Sequence, residues 1–228
     1  LLFLVVLSYF LVKVEEVLYS AMEEYHLDII VGQAAAARAM RVPIAPFTLV
    51  GATTRMSMLS KPMRDRFGIQ ERLAFYDDKS LSDIVMRTAD ISGITLSDAG
   101  ALEIARRSRG TPRIANRLLR RVWDFTVSMG KGAIDRDVAD QVLARQGIDK
   151  AGLDRIDRQM MKVVLDQYEG GPVGIEALAA TMNEDRPTLE EVYEPYLVYK
   201  GLLTRGPRGR SITASGKAHL DNVDGVLE

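Results

Sequence analysis

The 228-residue chain has no cysteine. That excludes disulfide frameworks and Cys-ligated zinc sites. Its two histidines, His26 and His219, stand far apart with no acidic partner pattern in the sequence. They leave little for another metal site and suggest no histidine catalysis. A cysteine-free chain suits a reducing cytoplasm, which is the expected location. Charge of one sign is also lacking: the net charge is -1, so contact with nucleic acid must come from a local patch. No apolar run reaches the ~20 residues of a membrane span. Leu1 to Val12 is almost wholly apolar but interrupted by Ser8, with no initiating Met, basic leader or small-residue cleavage site. It reads as a buried strand running into a functional turn, and no membrane partner is expected. With 47% apolar and 27% charged residues, the composition is that of an ordinary globular protein. The length suits two or three small domains.

What is present is more telling. Gly110-Thr111-Pro112-Arg113 opens a helix with proline in its first turn, where the missing N–H costs nothing. Ile114, Leu118 and Val122 then form an apolar stripe, leaving Arg113, Arg117, Arg120 and Arg121 around it. The arginines can meet a phosphate or form a solvated basic face. Upstream, Phe47 to Ala52 reads as a buried strand delivering the two hydroxyls of Thr53 and Thr54 at its end, where α/β folds usually place ligand groups. Pro62-Met63-Arg64-Asp65-Arg66-Phe67-Gly68 follows after a short connection.

These three segments, together with Glu15 to Tyr25, Arg72 to Tyr76 and Gly201 to Arg210, closely resemble the RuvB family of AAA+ motors, which drive branch migration at Holliday junctions. The resemblance covers nearly everything from Val14 to the C-terminus. It implies an ATP- and Mg²⁺-dependent, homohexameric DNA helicase (a hydrolase) of recombination and repair, acting on double-stranded DNA with the junction-recognition protein RuvA. It also implies roles for particular residues. Arg66 matches the arginine finger, which reaches the nucleotide of the neighbouring subunit and stabilises the transferring phosphoryl group. Arg64 is the runner-up, and the plainer alternative for Arg66 is an ion pair with Asp65 or Asp77. Thr53 and Thr54 match sensor 1, Arg113 matches sensor 2, and Tyr76 with Glu23, Glu24 and Tyr25 matches positions lining the nucleotide site.

The same resemblance exposes a departure. The family's Walker B Asp and Glu fall at Val5 and Val6, and no G-x-x-x-x-G-K-[ST] phosphate loop occurs anywhere. Two valines hold no metal. The chain is therefore expected to be a truncated piece with a foreign or frame-shifted start, unable to hydrolyse ATP alone. The alternative function is a non-catalytic winged-helix DNA-binding or ring-interaction module.

The expected fold is α/β plus α: residues 1–77 a partial large ATPase domain, 78–148 a four-helix lid and 151–228 a winged-helix DNA-binding head. In the first, a β-ribbon is expected over Leu27 to Val42. In the lid, Ser80 or Ser82 is expected to cap the first helix, Ser97 the second, and Asp135 to open the last; Gly147 to Leu153 reads as a linker. The head should hold helices over Met160 to Tyr168 and Ile175 to Met182, a third from Pro187 toward Tyr199, and a hairpin over Gly201 to Thr213. Between Glu194 and Asp221 there is no acid, while Lys200, Arg205, Arg208, Arg210 and Lys217 are basic. Arg205, Arg208 and Arg210 are the DNA-binding candidates, contacting phosphates without reading sequence.

Overall fold

The computed structural model describes residues 2–6, 12–31, 38–53, 56 and 59–224. They fall into two compact units that meet in sequence at Leu73 and Ala74.

In the first unit, strand β1 (Leu2–Val6) is followed by helix α1 (Val12–Glu24), strands β2 (His26–Val31), β3 (Arg38–Pro43) and β4 (Thr48–Ala52), and helix α2 (Lys61–Asp65). β1 and β4 pair in parallel, with Val5 opposite Gly51 and Val6 opposite Ala52. The β-branched and apolar run of β1 suits such a strand. β2 and β3 form the expected ribbon, antiparallel from His26 opposite Pro43 to Val31 opposite Arg38. Ser60 caps α2 by accepting from the Met63 N–H at 3.2 Å. Met63 and Leu59 are buried against Leu18, Tyr19, Met22, Leu49 and Phe67. From Phe67 to Asp77 the backbone runs without helix or strand, and Leu73 is 94% exposed.

The second unit begins with α3 (Asp78–Ile91), α4 (Asp98–Arg106), α5 (Pro112–Ser128) and α6 (Arg136–Arg145). Their apolar stripes close one core, including Leu81, Val85, Ile104, Leu118, Leu119, Val122, Ile134, Val142 and Leu143. Ser97 and Asp135 cap α4 and α6 as expected. The α3 cap is Asp77 rather than Ser80 or Ser82: its carboxylate accepts from the Ser80 N–H at 2.7 Å, so the helix starts a few residues early. A carboxylate gains from the helix dipole there as well as from the hydrogen bond.

Then come α7 (Arg155–Asp166), α8 (Ile175–Met182), a short turn α9 (Arg186–Thr188), α10 (Glu194–Tyr199), β5 (Leu203–Gly206), β6 (Gly209–Ile212) and α11 (Ala214–Asp224). α7 starts at Arg155 rather than Met160, because Asp154 and Asp157 form a reciprocal capping box. The helix expected from Pro187 to Tyr199 is broken into α9, a π-helical stretch over Leu189–Tyr193, and α10. Pro195 lies in the first turn of α10 and supplies no backbone donor to the preceding turn. α11 was not foreseen; Thr213 opens it by accepting from the Gly216 N–H at 2.9 Å. β5 and β6 form the wing, with Arg205 directly opposite Arg210. Val173 adds a bridge to the outer side of β6, exchanging both backbone bonds with Arg210 at 2.9 and 2.8 Å. Leu153, Met160, Met161, Leu178, Leu189, Tyr196, Leu197 and Leu203 centre a second core.

The segment expected as a linker is tied down instead. Arg107 donates to the Ile148 carbonyl, and Arg158 donates to the carbonyls of Gly147 and Leu153. Tyr196 Oη donates to the Ala151 carbonyl at 2.9 Å. His219 bonds Asp149 at 2.8 Å.

Candidate functional site

In the first unit, the α1–α2 packing sets the position of Arg66, the residue that ends α2. Its guanidinium lies over the Tyr19 ring, 4.2 Å from the centroid, donates to the Pro62 carbonyl at 2.9 Å, and pairs with Glu23 at 2.6 Å. The partner is thus Glu23 and not Asp65 or Asp77. Two candidates of separate origin in the sequence are brought together. Beneath them, Glu15 is buried and accepts from the Ser60 N–H and from Tyr19 Oη. Burial acts to raise its carboxyl, yet the hydrogen bonds from Ser60 and Tyr19 prevail and hold it below the usual carboxylate range.

Glu24 does not join this pair; it faces His26 at 3.4 Å, whose other ring nitrogen faces Asp28 at 3.5 Å. Both histidines therefore have acidic partners that the sequence pattern did not reveal. Tyr25 turns the chain in a left-handed conformation, φ 53°, and packs edge-on against Phe47. Thr53 directly follows β4 and is half-buried. Thr54 lies outside the described residues.

In the second unit, the Tyr76 N–H donates to the Gly110 carbonyl at 2.9 Å, holding the chain just before α3 against the turn before α5. Gly110 has φ 66°, and a Cβ there would meet the Phe75 ring. Arg113, Arg117, Arg120 and Arg121 are all exposed on α5, with no ion pair among the described residues.

Sequence reasoning missed the arginines just upstream. Arg107 is buried, holds Glu103 with two of its nitrogens at 2.9 and 2.5 Å, and pairs with Asp140. Glu103 at i−4 was a readable signal. Arg109 turns the other way: at φ 54° it donates to Asp157 at 3.0 Å and to the Val192 carbonyl at 3.1 Å, and lies over the Tyr196 ring at 4.9 Å. Asp157 is fully buried. Its Oδ2 also accepts from the Asp154 N–H at 2.9 Å, while Oδ1 has no partner. Burial pushes this carboxyl up to about 7 against the opposing pull of Arg109.

A pH dependence follows. Because the folded value lies above the unfolded 3.8, the folded state binds the proton more tightly. The resulting stability is complete below the unfolded value and is lost as pH rises through about 7. Asp157→Asn removes that titration. The difference in unfolding free energy between wild type and variant should therefore shift against the wild type across this window and level off above it, as read by urea melts at several pH values.

On the wing, Arg208 is exposed at the tip. Arg205 is half-exposed and faces Glu190 at 3.4 Å and Glu194 at 3.5 Å. Arg210, an expected DNA contact, is buried and bound to Glu194 at 2.8 Å and Glu190 at 3.0 Å. The acid-free run from Glu194 to Asp221 is thus partly neutralised from outside its own sequence.

Comparison with known proteins agrees with this architecture over most of the chain. Residues 1–73 match the Holliday junction DNA helicase RuvB P-loop domain, 76–149 the RuvB AAA lid domain, and 150–221 the RuvB C-terminal winged helix domain. The Holliday junction branch migration complex subunit RuvB of Bdellovibrio bacteriovorus is 51% identical over 91% of this chain and 63% of that protein. The corresponding subunit of Nitratidesulfovibrio vulgaris is 52% identical over 92% and 66%. The chain thus spans just under two thirds of the length of these curated relatives. Among solved structures, the Thermotoga maritima RuvB P216G mutant superposes with a TM-score of 0.86 at 43% identity, over 96% of this chain and 70% of that one. The Thermotoga maritima RuvB Holliday junction branch migration motor gives 0.84 at 42%, over 96% and 69%. On sequence and on fold, the chain belongs to the RuvB family.

Proposed function

We propose that this chain is part of an ATP-dependent, hexameric branch migration motor, that its head binds duplex DNA without sequence preference, and that alone it does not turn over ATP. Residues 1–77 are its partial ATPase domain, 78–148 its lid and 151–228 its DNA-binding head. The carrying observation is the β1–β4 register. Val5 and Val6 sit beside Gly51 and Ala52, at the strand ends where the family's acids would meet Mg²⁺. Two hydrocarbon side chains do not fit the metal, and Glu23 is occupied by Arg66. Among the described residues no three acidic or histidine side chains converge to replace them. These residues therefore do not fit Mg²⁺, and we derive no hydrolytic step.

Arg66 favours a second reading, in which the chain lends its finger to an intact neighbour. Thr53, Thr54, Glu24, Tyr25, Tyr76 and Arg113 remain proposed nucleotide-site positions under either reading. RuvA is the proposed partner at the junction and the cytoplasm the proposed location; among the described residues no helix is long and apolar enough to cross a membrane.

The test is ATP turnover on branched DNA, run alone and mixed with an intact relative. The expected result is none alone, with altered turnover in the mixture if the chain enters the ring. Turnover by the chain alone sinks the proposal.

A further inference from the structure

We propose that Arg109 and Phe75 form a joint that locks the lid to the head, so that α3–α6 and the wing-bearing helices move as one lever. Arg109 is then a positioning residue, which sets where the head stands on the lid. The lever's use in a motor rests on the nucleotide-site reading of Tyr76 and Arg113; the joint itself does not.

The apolar core of α3–α6 lies between Leu81 and Leu143, that of the head between Leu153 and Leu220, and the two share no buried residue. Domains joined in this way move relative to one another unless a large apolar interface holds them. Here the bridge is polar and aromatic instead. Arg109, in the turn between α4 and α5, donates to Asp157 in the first turn of α7 at 3.0 Å and to the Val192 carbonyl of the π-helical stretch at 3.1 Å. Its guanidinium also lies over the rings of Tyr193 and Tyr196, at 5.8 and 4.9 Å from their centroids. One lid side chain thus grips three elements of the head. Directed hydrogen bonds in a buried setting specify one geometry, where apolar faces would slide. Withdrawing Arg109 would also strand the fully buried Asp157 carboxyl.

The chain entering the lid makes the second grip. The Phe75 ring lies 4.7 Å from that of Tyr199 and 6.1 Å from that of Tyr196, both on α10. Behind the joint the connector is fastened as well. Gly152 passes so close to Arg107 that an added Cβ would stand 2.9 Å from its carbonyl oxygen. The Asp149 carboxylate accepts from the N–H groups of Ala151 and Leu153 and bonds His219 of α11.

The position of the joint gives it a consequence. Arg109 is followed by Gly110, whose carbonyl holds the Tyr76 N–H, and shortly by Arg113. The proposed nucleotide-site residues and the residue that grips the head therefore share one turn. At the other end, α10 runs directly into β5 of the wing. A displacement of the turn is delivered to the wing with little slack.

The test is the distance distribution between two nitroxide labels on the full chain, read by pulsed electron resonance. The chain has no cysteine, so Val127→Cys on α5 and Ala180→Cys on α8, both exposed, place one label on the lid and one on the head. The otherwise unchanged chain should give a single narrow distribution. Arg109→Met with Asp157→Asn leaves neither partner charged, and the new amide oxygen still accepts from the Asp154 N–H. That paired variant should broaden the distribution about twofold or more. Phe75→Ala, which touches neither core, should broaden it too and keeps the test open if the paired variant fails to fold. Duplex affinity of the paired variant, read by fluorescence anisotropy, should stay within about twofold of the wild type, because the wing is untouched. A broad or two-peaked distribution without these changes overturns the inference, since lid and head then move separately. Widths unchanged in the variants overturn it as well, since something else then holds the two together. A fall of about tenfold in duplex affinity makes Arg109 a determinant of the wing's own shape and has the same result. The widths need neither nucleotide nor DNA, so failure of either of those readings is distinct from failure of the joint.

Discussion

Replacing Arg109 with alanine should destabilise the part of the chain from Ala74 onward by ~3–5 kcal/mol, the cost of leaving a buried acid without its counter-ion. Arg109 carries an ion pair to a fully buried Asp157, a bond to the Val192 carbonyl and stacking on Tyr196. Among the described residues no other cation pairs with Asp157, whose Oδ1 already lacks a partner. Asp157 can evade the unpaired charge by taking up a proton, so the loss should be smallest in acid and grow above about pH 7. The double variant Arg109→Ala with Asp157→Asn should recover part of the loss, since neither partner is then left charged. Urea melts of the four proteins at pH 6 and pH 8 read all of this, and equal losses at the two pH values would contradict it. The junction should also lose cooperativity, because Arg109 joins the turn after α4 to the start of α7 and to the π-helical stretch.

Gly209→Ala should be as severe but more local. Gly209 has φ 132°, a conformation L-residues rarely adopt, and an added Cβ would collide with the Val173 backbone carbonyl. Neither strand can retreat, because Val173 and Arg210 exchange both of their backbone bonds. Strain of this kind costs ~1–3 kcal/mol for the backbone alone, and the overlap adds to it. The wing should detach from Val173, which shifts Arg210 off Glu194. Duplex affinity should fall at least tenfold, about 1.4 kcal/mol, while the melting of the α3–α6 core is unaffected. Equal duplex binding by wild type and variant would show that the wing does not contribute to affinity.

Much of the fold was legible because the signals were local. Ser97 and Asp135 cap helices with their own side chains, Pro112 marks the start of α5, and the Ile114, Leu118 and Val122 stripe points that helix inward. The wing hairpin carries its turn chemistry in the four residues Gly206-Pro207-Arg208-Gly209. What escaped depended on partners far away in sequence. Arg109 and Asp157 are 48 residues apart, and nothing in the intervening sequence distinguishes this arginine from the exposed ones on α5. The wing failed in the same way: an acid-free run looks basic until Glu190 and Glu194 fold beneath it. α11 escaped because Thr213 caps it immediately after the last strand of the hairpin. For the first unit, the family pattern supplied Arg66 and Glu23 separately, and only the packing of α1 against α2 disclosed that they are partners.

The strand-free run from Phe67 to Asp77 has a practical corollary. Ile69 is 83% exposed and Leu73 94%, both apolar side chains that broad-specificity endoproteases accept, on backbone carrying no ladder or helix. Past them, the Tyr76 N–H is anchored to Gly110. Nicking at Ile69 or Leu73 would therefore sever β1 to β4 from the rest while sparing both helical cores. The chain carries its own site for excising a lid and wing as one piece.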